Sequence, residues 1–487
     1  MKNRLDFLPL CVIIFPIRQE VFMSAQFRKK FIGTKGFYRT VMVMVVPMIL
    51  QMMVTNLVSL IDNIMVGRLG TEPMSGVSII NQFVFVFNVT VFGAVAGPSI
   101  FGAQFFGKGD SEGQKYTFRF RLLVCTGIIA IAALICSLFG SPLISLFISN
   151  ESTQEQRDAI MKSGMDYLRI IMIGFVPFGI GQAYSSVVRE CGYTKAPMAA
   201  AMSAVGINVI LDWCLIFGKL GMPALGVRGA AWATVIAKTV EALVVIVWAH
   251  THPDKNRYIR GVFRGFRIPA SLMADITKKG IPMLANEFLW SFGMSVVMQC
   301  YSVRSTEVVA ARNISSTMTN LFSSVYLQMG ACIAIIVGAR LGAGKLEEAR
   351  DTDNKLLFFA VVAAAAVGLV TLPFAPVFPH IYNTEPSVRS LAAYMIVIQA
   401  LAMPLWGYTN ACYFTLRSGG RTGVTFLFDF GFTWLIMIPL AAVLAYFTDL
   451  DIRIIFAAVT FSEIIKVVIG YFMVRSDIWV NNIVEDK

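Results

Sequence analysis

Apolar runs of about 20 residues or more recur along this chain, with Leu, Ile, Val, Met and Phe on every face of the helix each run would form. An α-helix crosses the hydrocarbon core of a bilayer in about 20 residues, whereas outer-membrane barrel strands alternate apolar and polar residues over about 10. Breaks at polar residues, Gly and Pro predict six spans over roughly 39–68, 74–106, 117–140, 161–187, 197–218 and 226–250. Six more follow over roughly 274–303, 308–340, 355–379, 388–416, 423–447 and 452–474. The pattern predicts an all-α polytopic membrane protein with 12 transmembrane helices. Pro47 and Pro282 fall inside the first and seventh spans, where proline frees a carbonyl one turn earlier and kinks a helix.

Between the two sets lies "THPDKNRYIRGVFRGFRIP", a long basic stretch without an apolar run. It divides the chain into an N-terminal segment (1–30), a six-helix lobe (31–252), a basic linker (253–270) and a second six-helix lobe (271–487). The halves resemble each other at an offset of about 235 residues: Pro47 meets Pro282, Gln51 meets Asn286, and Gly107-Lys-Gly109 meets Gly342-Ala-Gly344. Further on, "RECGYT" from Arg189 matches "RSGGRT" from Arg417. An even number of spans per half makes this a parallel repeat about the membrane normal, an arrangement that belongs to secondary transporters.

Lys and Arg concentrate at Arg28 to Arg39, Lys108 to Arg121, Lys255 to Lys279 and Arg340 to Lys355, against scattered Arg68, Lys219, Arg304 and Arg389 in the alternate loops. Positive loops stay inside, so both termini are expected in the cytoplasm. The apolar stretch before Met23 is too short to span a bilayer, and either Met1 or Met23 serves as a start.

Composition agrees with the pattern: of 487 residues, 56% are hydrophobic and 14% charged, with a mean hydropathy of +0.69. The formal charge of +12 resides in short loops, which points to topology and away from a nucleic-acid partner. Eight cysteines, at 11, 125, 136, 191, 214, 300, 332 and 412, contain no CxxC pair and predict neither a disulfide framework nor a metal site. No phosphate-binding GxxxxGK[ST], HExxH or GxSxG motif occurs, so no enzyme activity and no cofactor are expected, and active transport would draw on an ion gradient.

Against this background "SLIDNIMVGRLG" is conspicuous, because Asp62 sits in an apolar run. A carboxylate in hydrocarbon costs at least about 2.5 to 3.5 kcal/mol, so it faces a cavity, a partner or an ion, unless its place near the helix end lets it reach interfacial water. Asn208 and Asp212 in "GINVILDW" are one turn apart on one helix face, and two such oxygen donors suit a small hard cation or a proton relay; a helix-packing hydrogen bond is the plainer reading. Thr234 in "GAAWATVIAK" offers a hydroxyl from the next helix, or is merely a small residue at a contact. Glu287, after Pro282, is the best acid of the second half, with pairing to a neighbouring helix as the alternative. Lys238 with Glu241, and Glu463 with Lys466, are each three apart and read as self-neutralising structural pairs, while Asp429 near Arg421 is left open.

The segments "VPMILQMMVTNLVSLIDNIMVGRLG", "SIFGAQFFGKGD", "RECGYTKAPM", "INVILDW", "GVRGAAWAT", "IPMLANEFLW" and "VGARLGAGK" resemble the multidrug and toxic compound extrusion (MATE) family over roughly residues 30–475. The resemblance implies a V-shaped pair of six-helix lobes that exports organic, mostly cationic, compounds in exchange for Na+ or H+. It also implies a cation site in the N-terminal lobe at Asp62, Asn208, Asp212 and Thr234, with Ala230 lending a carbonyl. Family members with an acid on the tenth helix use it in the C-terminal lobe. Here "YMIVIQALAMPLWGYTN" has none, which weakens Glu287 as a second-lobe site. A monomer in a bacterial or archaeal inner membrane is expected. The rival within transport is a flippase of lipid-linked precursors, which a basic central cavity would favour.

Overall fold

The computed structural model describes residues 30–148 and 153–485. Cys11, Met23, Arg28 and Lys29, and with them nearly all of the expected N-terminal segment, lie outside the described residues. Among the described residues every regular element is a helix. In the first half these are α1 (Lys35–Gly67), α2 (Thr71–Lys108), α3 (Ser111–Ser145), α4 (Gln154–Glu190), α5 (Lys195–Phe217) and α6 (Val227–Thr251). In the second half, α7 (Ala270–Ser302), α8 (Thr306–Gly342), α9 (Leu346–Thr371), α10 (Pro386–Ser418) and α11 (Thr422–Phe447) are followed by α12, which runs as Ile452–Phe461 and Glu463–Arg475. Eleven of these are long and apolar enough to cross a membrane, α4 with a 3-10 turn at Met172–Gly174, and the twelfth is divided by a single turn residue at Ser462.

The spans face outward with their apolar side chains, as a lipid solvent demands. On α5, Ile210 and Trp213 are exposed while Asn208 and Asp212 are buried, the inverse of a helix in water. Proline freedom is used locally. Pro47 cannot donate to Val43, and the Val43 carbonyl instead accepts the Thr194 hydroxyl at 3.4 Å. Likewise Pro404 frees the Ala400 carbonyl, and Gly368 packs so closely on it that an added Cβ would lie 2.4 Å away.

The lobes meet along α2 and α8. From Gly93 to Phe105, α2 is buried almost continuously, and its small residues let backbones touch. A Cβ at Gly107 would lie 1.8 Å from the Ala339 oxygen, and one at Gly342 would lie 1.9 Å from the Gln104 oxygen. Those two contacts exchange under the internal repeat, so the pseudo-two-fold axis passes between α2 and α8. Gly97 adds a third close approach, with its Cβ position 2.5 Å from the Gly280 Cα of α7. The first half of α1 crosses over as well: Val41, Met44 and Val45 join Met329, Cys332 and Val337 in a buried cluster of the second half. At the same end the C-terminal tail is tied in, with the Gln104 amide donating to Ser418 O at 2.9 Å and accepting from Ile483 N at 2.8 Å.

The basic linker is anchored to the first lobe. The Arg119 guanidinium donates to the carbonyls of Val262 (2.7 Å), Arg267 (3.0 Å), Arg264 (3.1 Å) and Gly261 (3.2 Å), and Tyr258, Ile259 and Val262 enter the first-lobe core. Beside it Arg121 and Glu190 form a buried ion pair at 2.8 Å. Its room comes from Gly102, where a Cβ would strike Glu190 Oε2 at 2.1 Å. Removing one partner strands the other charge, so Arg121→Ala should lower stability by about 3–5 kcal/mol, whereas Arg121→Leu combined with Glu190→Leu should cost much less. Thermal unfolding of the detergent-purified variants checks this; equal losses in the single and double variants would count against it.

Candidate functional site

Asp62 lies on α1 one turn and a half before the helix ends, and the fold brings it against α5. Its carboxyl group and that of Asp212 are close enough to share a hydrogen bond. Asn208 is buried one turn before Asp212 on the same face. Asp62 Oδ1, both carboxyl oxygens of Asp212 and the Asn208 amide nitrogen are buried without a hydrogen-bond partner. Buried polar atoms are nearly always paired, so four orphans in one place mark a site built for something the chain itself does not supply. Two carboxylates facing each other in a membrane repel unless a proton or a cation lies between them.

The walls come from the neighbouring helices. Tyr167 of α4 is within hydrogen-bonding range of the Thr234 hydroxyl and lies near both acids. Its own hydroxyl points at Asn81 Oδ1 of α2, 3.5 Å away. Ala230 is buried one turn before Thr234 on α6. Asp62, Asn208, Asp212 and Thr234 are therefore gathered from α1, α5 and α6, the set that the family resemblance implied, whereas spacing alone had paired only Asn208 with Asp212. Tyr167 and Asn81 complete the wall and were missed. Asn81 carries a signal, an amide inside the apolar run "SIINQFVFVFN", but Tyr167 in "MDYLRII" carries none.

Lys238 bonds Glu241 at 3.0 Å, the pairing their spacing predicted, and stays close enough to act on Asp62 through space. Glu287 is remote from this group. It faces the lobe junction, where a Cβ on Gly93 would touch its Cγ at 3.5 Å, and its charged neighbours are Arg417 and Asp429. Pro282 sits five residues earlier on α7.

In the second half, partners on other helices add to what spacing along one helix shows. Lys466 pairs with Glu463 at 3.8 Å, as their spacing predicted, and bonds Asp429 more closely, at 2.6 Å. Asp429, whose partner the sequence left open, pairs with Lys466, while the Arg421 Nε donates to the Ile478 carbonyl at 2.9 Å. For Lys466, i, i+3 spacing reveals the neighbour on its own helix, while the closer partner lies on α11.

A family model, MatE, matches residues 47–214 and again 282–447. The two matches begin at Pro47 and Pro282, the pair that the internal repeat superposes. The chain belongs to the MATE family. Among relatives, the "Probable multidrug resistance protein NorM" of Thermotoga maritima is 24% identical over 395 residues, covering 80% of this chain and 82% of its own length. The "Probable multidrug resistance protein YoeA" of Bacillus subtilis is 22% identical over 444 residues, covering 89% and 93%. The crystal structure of the MATE transporter VcmN of Vibrio cholerae in its bent form superposes with a TM-score of 0.79 at 18% identity, covering 91% of this chain and 98% of that one. This chain is thus a multi-pass membrane protein of a transporter family, not an enzyme, with the two-lobed MATE fold.

Proposed function

We propose that this MATE protein is a cation-coupled antiporter that exports organic, mostly cationic, compounds in exchange for Na+ or H+. The orphaned oxygens of Asp62 and Asp212 carry the reading, because they form an anionic, water-poor cup that only a proton or a small hard cation neutralises. Asp62, Asn208, Asp212 and Thr234 are the coupling residues, with Ala230 lending a carbonyl and Tyr167 fixing the Thr234 side.

The lobes, 31–252 and 271–487, rock about the α2–α8 seam. Its tight end carries Lys108, Lys115, Arg340 and Lys345, which the positive-inside rule assigns to the cytoplasm. This is therefore a cytoplasm-closed state. An ion favours one state only if it binds that state better, and the ion-dependent closure of the Asp62–Asp212 gap supplies the difference.

The test uses everted membrane vesicles loaded with a lipophilic cation such as ethidium, with sodium and proton gradients imposed separately. Substrate movement driven by one gradient is expected and identifies the ion. No movement under either gradient, with well-inserted protein and several cations, would overturn antiport and leave lipid-precursor flipping to be tested.

A further inference from the structure

The second lobe contains a polar cluster that the coupling site does not use. Lys466 of α12 is buried, and its ammonium bonds Asp429 Oδ1 at 2.6 Å and lies 3.8 Å from Glu463 Oε1. It also stands 5.2 Å from the Phe428 ring centre and 5.4 Å from that of Phe432. Two carboxylates and two aromatic faces around one ammonium are what a binding site for a free organic cation is made of.

The acids are held in place independently of the lysine. Asp429 Oδ2 accepts from the Asn286 amide at 2.8 Å, and Glu463 Oε1 accepts from the Thr409 hydroxyl at 2.8 Å. The cup thus draws on α7, α10, α11 and α12.

The helices are irregular at this place. α11 adopts π-helical geometry over Leu427–Gly431 and Thr433–Met437, the stretch that carries Phe428 and Asp429 and flanks Phe432, and α12 has a single turn residue at Ser462, just before Glu463. π-turns concentrate at functional sites.

The two lobes differ in how they treat their acids. Lys238 stands as many residues beyond Arg189 as Lys466 does beyond Arg417, so the lysines are repeat equivalents. In the first lobe the lysine is engaged by Glu241, and Asp62 Oδ1 and both Asp212 carboxyl oxygens are left without a donor. In the second lobe the equivalent ammonium reaches the acid.

We propose that the C-terminal lobe contains a cation site occupied by the chain's own Lys466, and that removing this side chain opens the site to a small primary ammonium. Resting on the antiport reading, the consequence is that the mobile coupling ion is confined to the Asp62–Asp212 cup.

The experiment reads stability, so that failure of transport would bear on antiport alone. Thermal unfolding of the full-length, detergent-purified protein is followed for the wild type, Lys466→Ala and Lys466→Ala/Asp429→Asn, with ethylammonium or tetraethylammonium chloride at equal concentration. Lys466→Ala should unfold at a lower temperature than the wild type and recover about 2–4 °C with ethylammonium but not with the bulkier salt. The wild type and the double variant should not respond. No response of Lys466→Ala, or the same response in the double variant, would overturn the proposal. Should Lys466→Ala fail to insert, Lys466→Ala/Glu463→Gln keeps Asp429 and relieves the excess charge, and its response to ethylammonium decides in the same way.

Discussion

Asp212→Asn should reduce gradient-driven efflux at least about 100-fold, to background, while the protein still inserts and unfolds at an equal or higher temperature. The two effects have one origin. Asp212 is buried on α5 with both carboxyl oxygens unpartnered, facing the Asp62 carboxyl across the α1–α5 contact. A neutral amide removes the repulsion and can donate to Asp62, which strengthens the packing of α1 on α5. In the proposed antiport it also removes the charge that would select a proton or a cation, so both states of the transporter would bind the ion equally poorly and the ion would no longer drive the exchange. A structural hydrogen bond at this position would give the opposite pair of results: lower stability with largely retained efflux. Efflux from vesicles and thermal unfolding of the same preparation separate the two.

Gly342→Val should lower efflux at least about tenfold while leaving equilibrium binding of ethidium within about twofold. At Gly342 a Cβ would sit 1.9 Å from the Gln104 oxygen, a backbone atom that cannot rotate away. Ordinary contact requires about 3.5 Å, so valine must wedge α8 from α2 at the tight end of the seam. The lobes then fail to close there, and alternation between the two open states is lost, whereas the Asp62–Asp212 cup, which belongs to the first lobe, is untouched. Gly127→Ala provides the control, because a Cβ at Gly127 meets nothing within 4 Å, and it should leave efflux unchanged. Normal transport by Gly342→Val would mean that the seam does not open and close in the cycle.

Much of this architecture is readable from residue order, because the bilayer allows few solutions. A membrane span needs about 20 apolar residues whatever its neighbours, so the spans and the repeat linking Pro47 to Pro282 stand out. Asn208 and Asp212 are equally legible, since a polar pair one turn apart in "INVILDW" has no reason to face lipid. Partners on different helices leave no such trace. Nothing in "RECGYT" says that Thr194 caps the carbonyl freed by Pro47, and nothing around Arg119 says that it gathers four linker carbonyls. The same limit explains Lys466: its neighbour in sequence is Glu463, but its partner in space is Asp429. The turn residue at Ser462 and the π-turns of α11 also escape a reading based on a 3.6-residue period, because the apolar content there is uninterrupted.

Coupling is reciprocal: an ion that competes with a substrate or excludes it must weaken substrate binding by the same factor by which substrate weakens ion binding. The most direct test is therefore the equilibrium affinity of purified protein for a fluorescent lipophilic cation, measured with and without sodium and across a pH series. The wild-type affinity should fall at least about fivefold as the coupling ion is added, and that dependence should vanish in Asp62→Asn and Asp212→Asn. An ion dependence that survives in both variants would place coupling elsewhere in the molecule, and its absence from a wild-type protein that still transports would contradict ion-coupled exchange altogether.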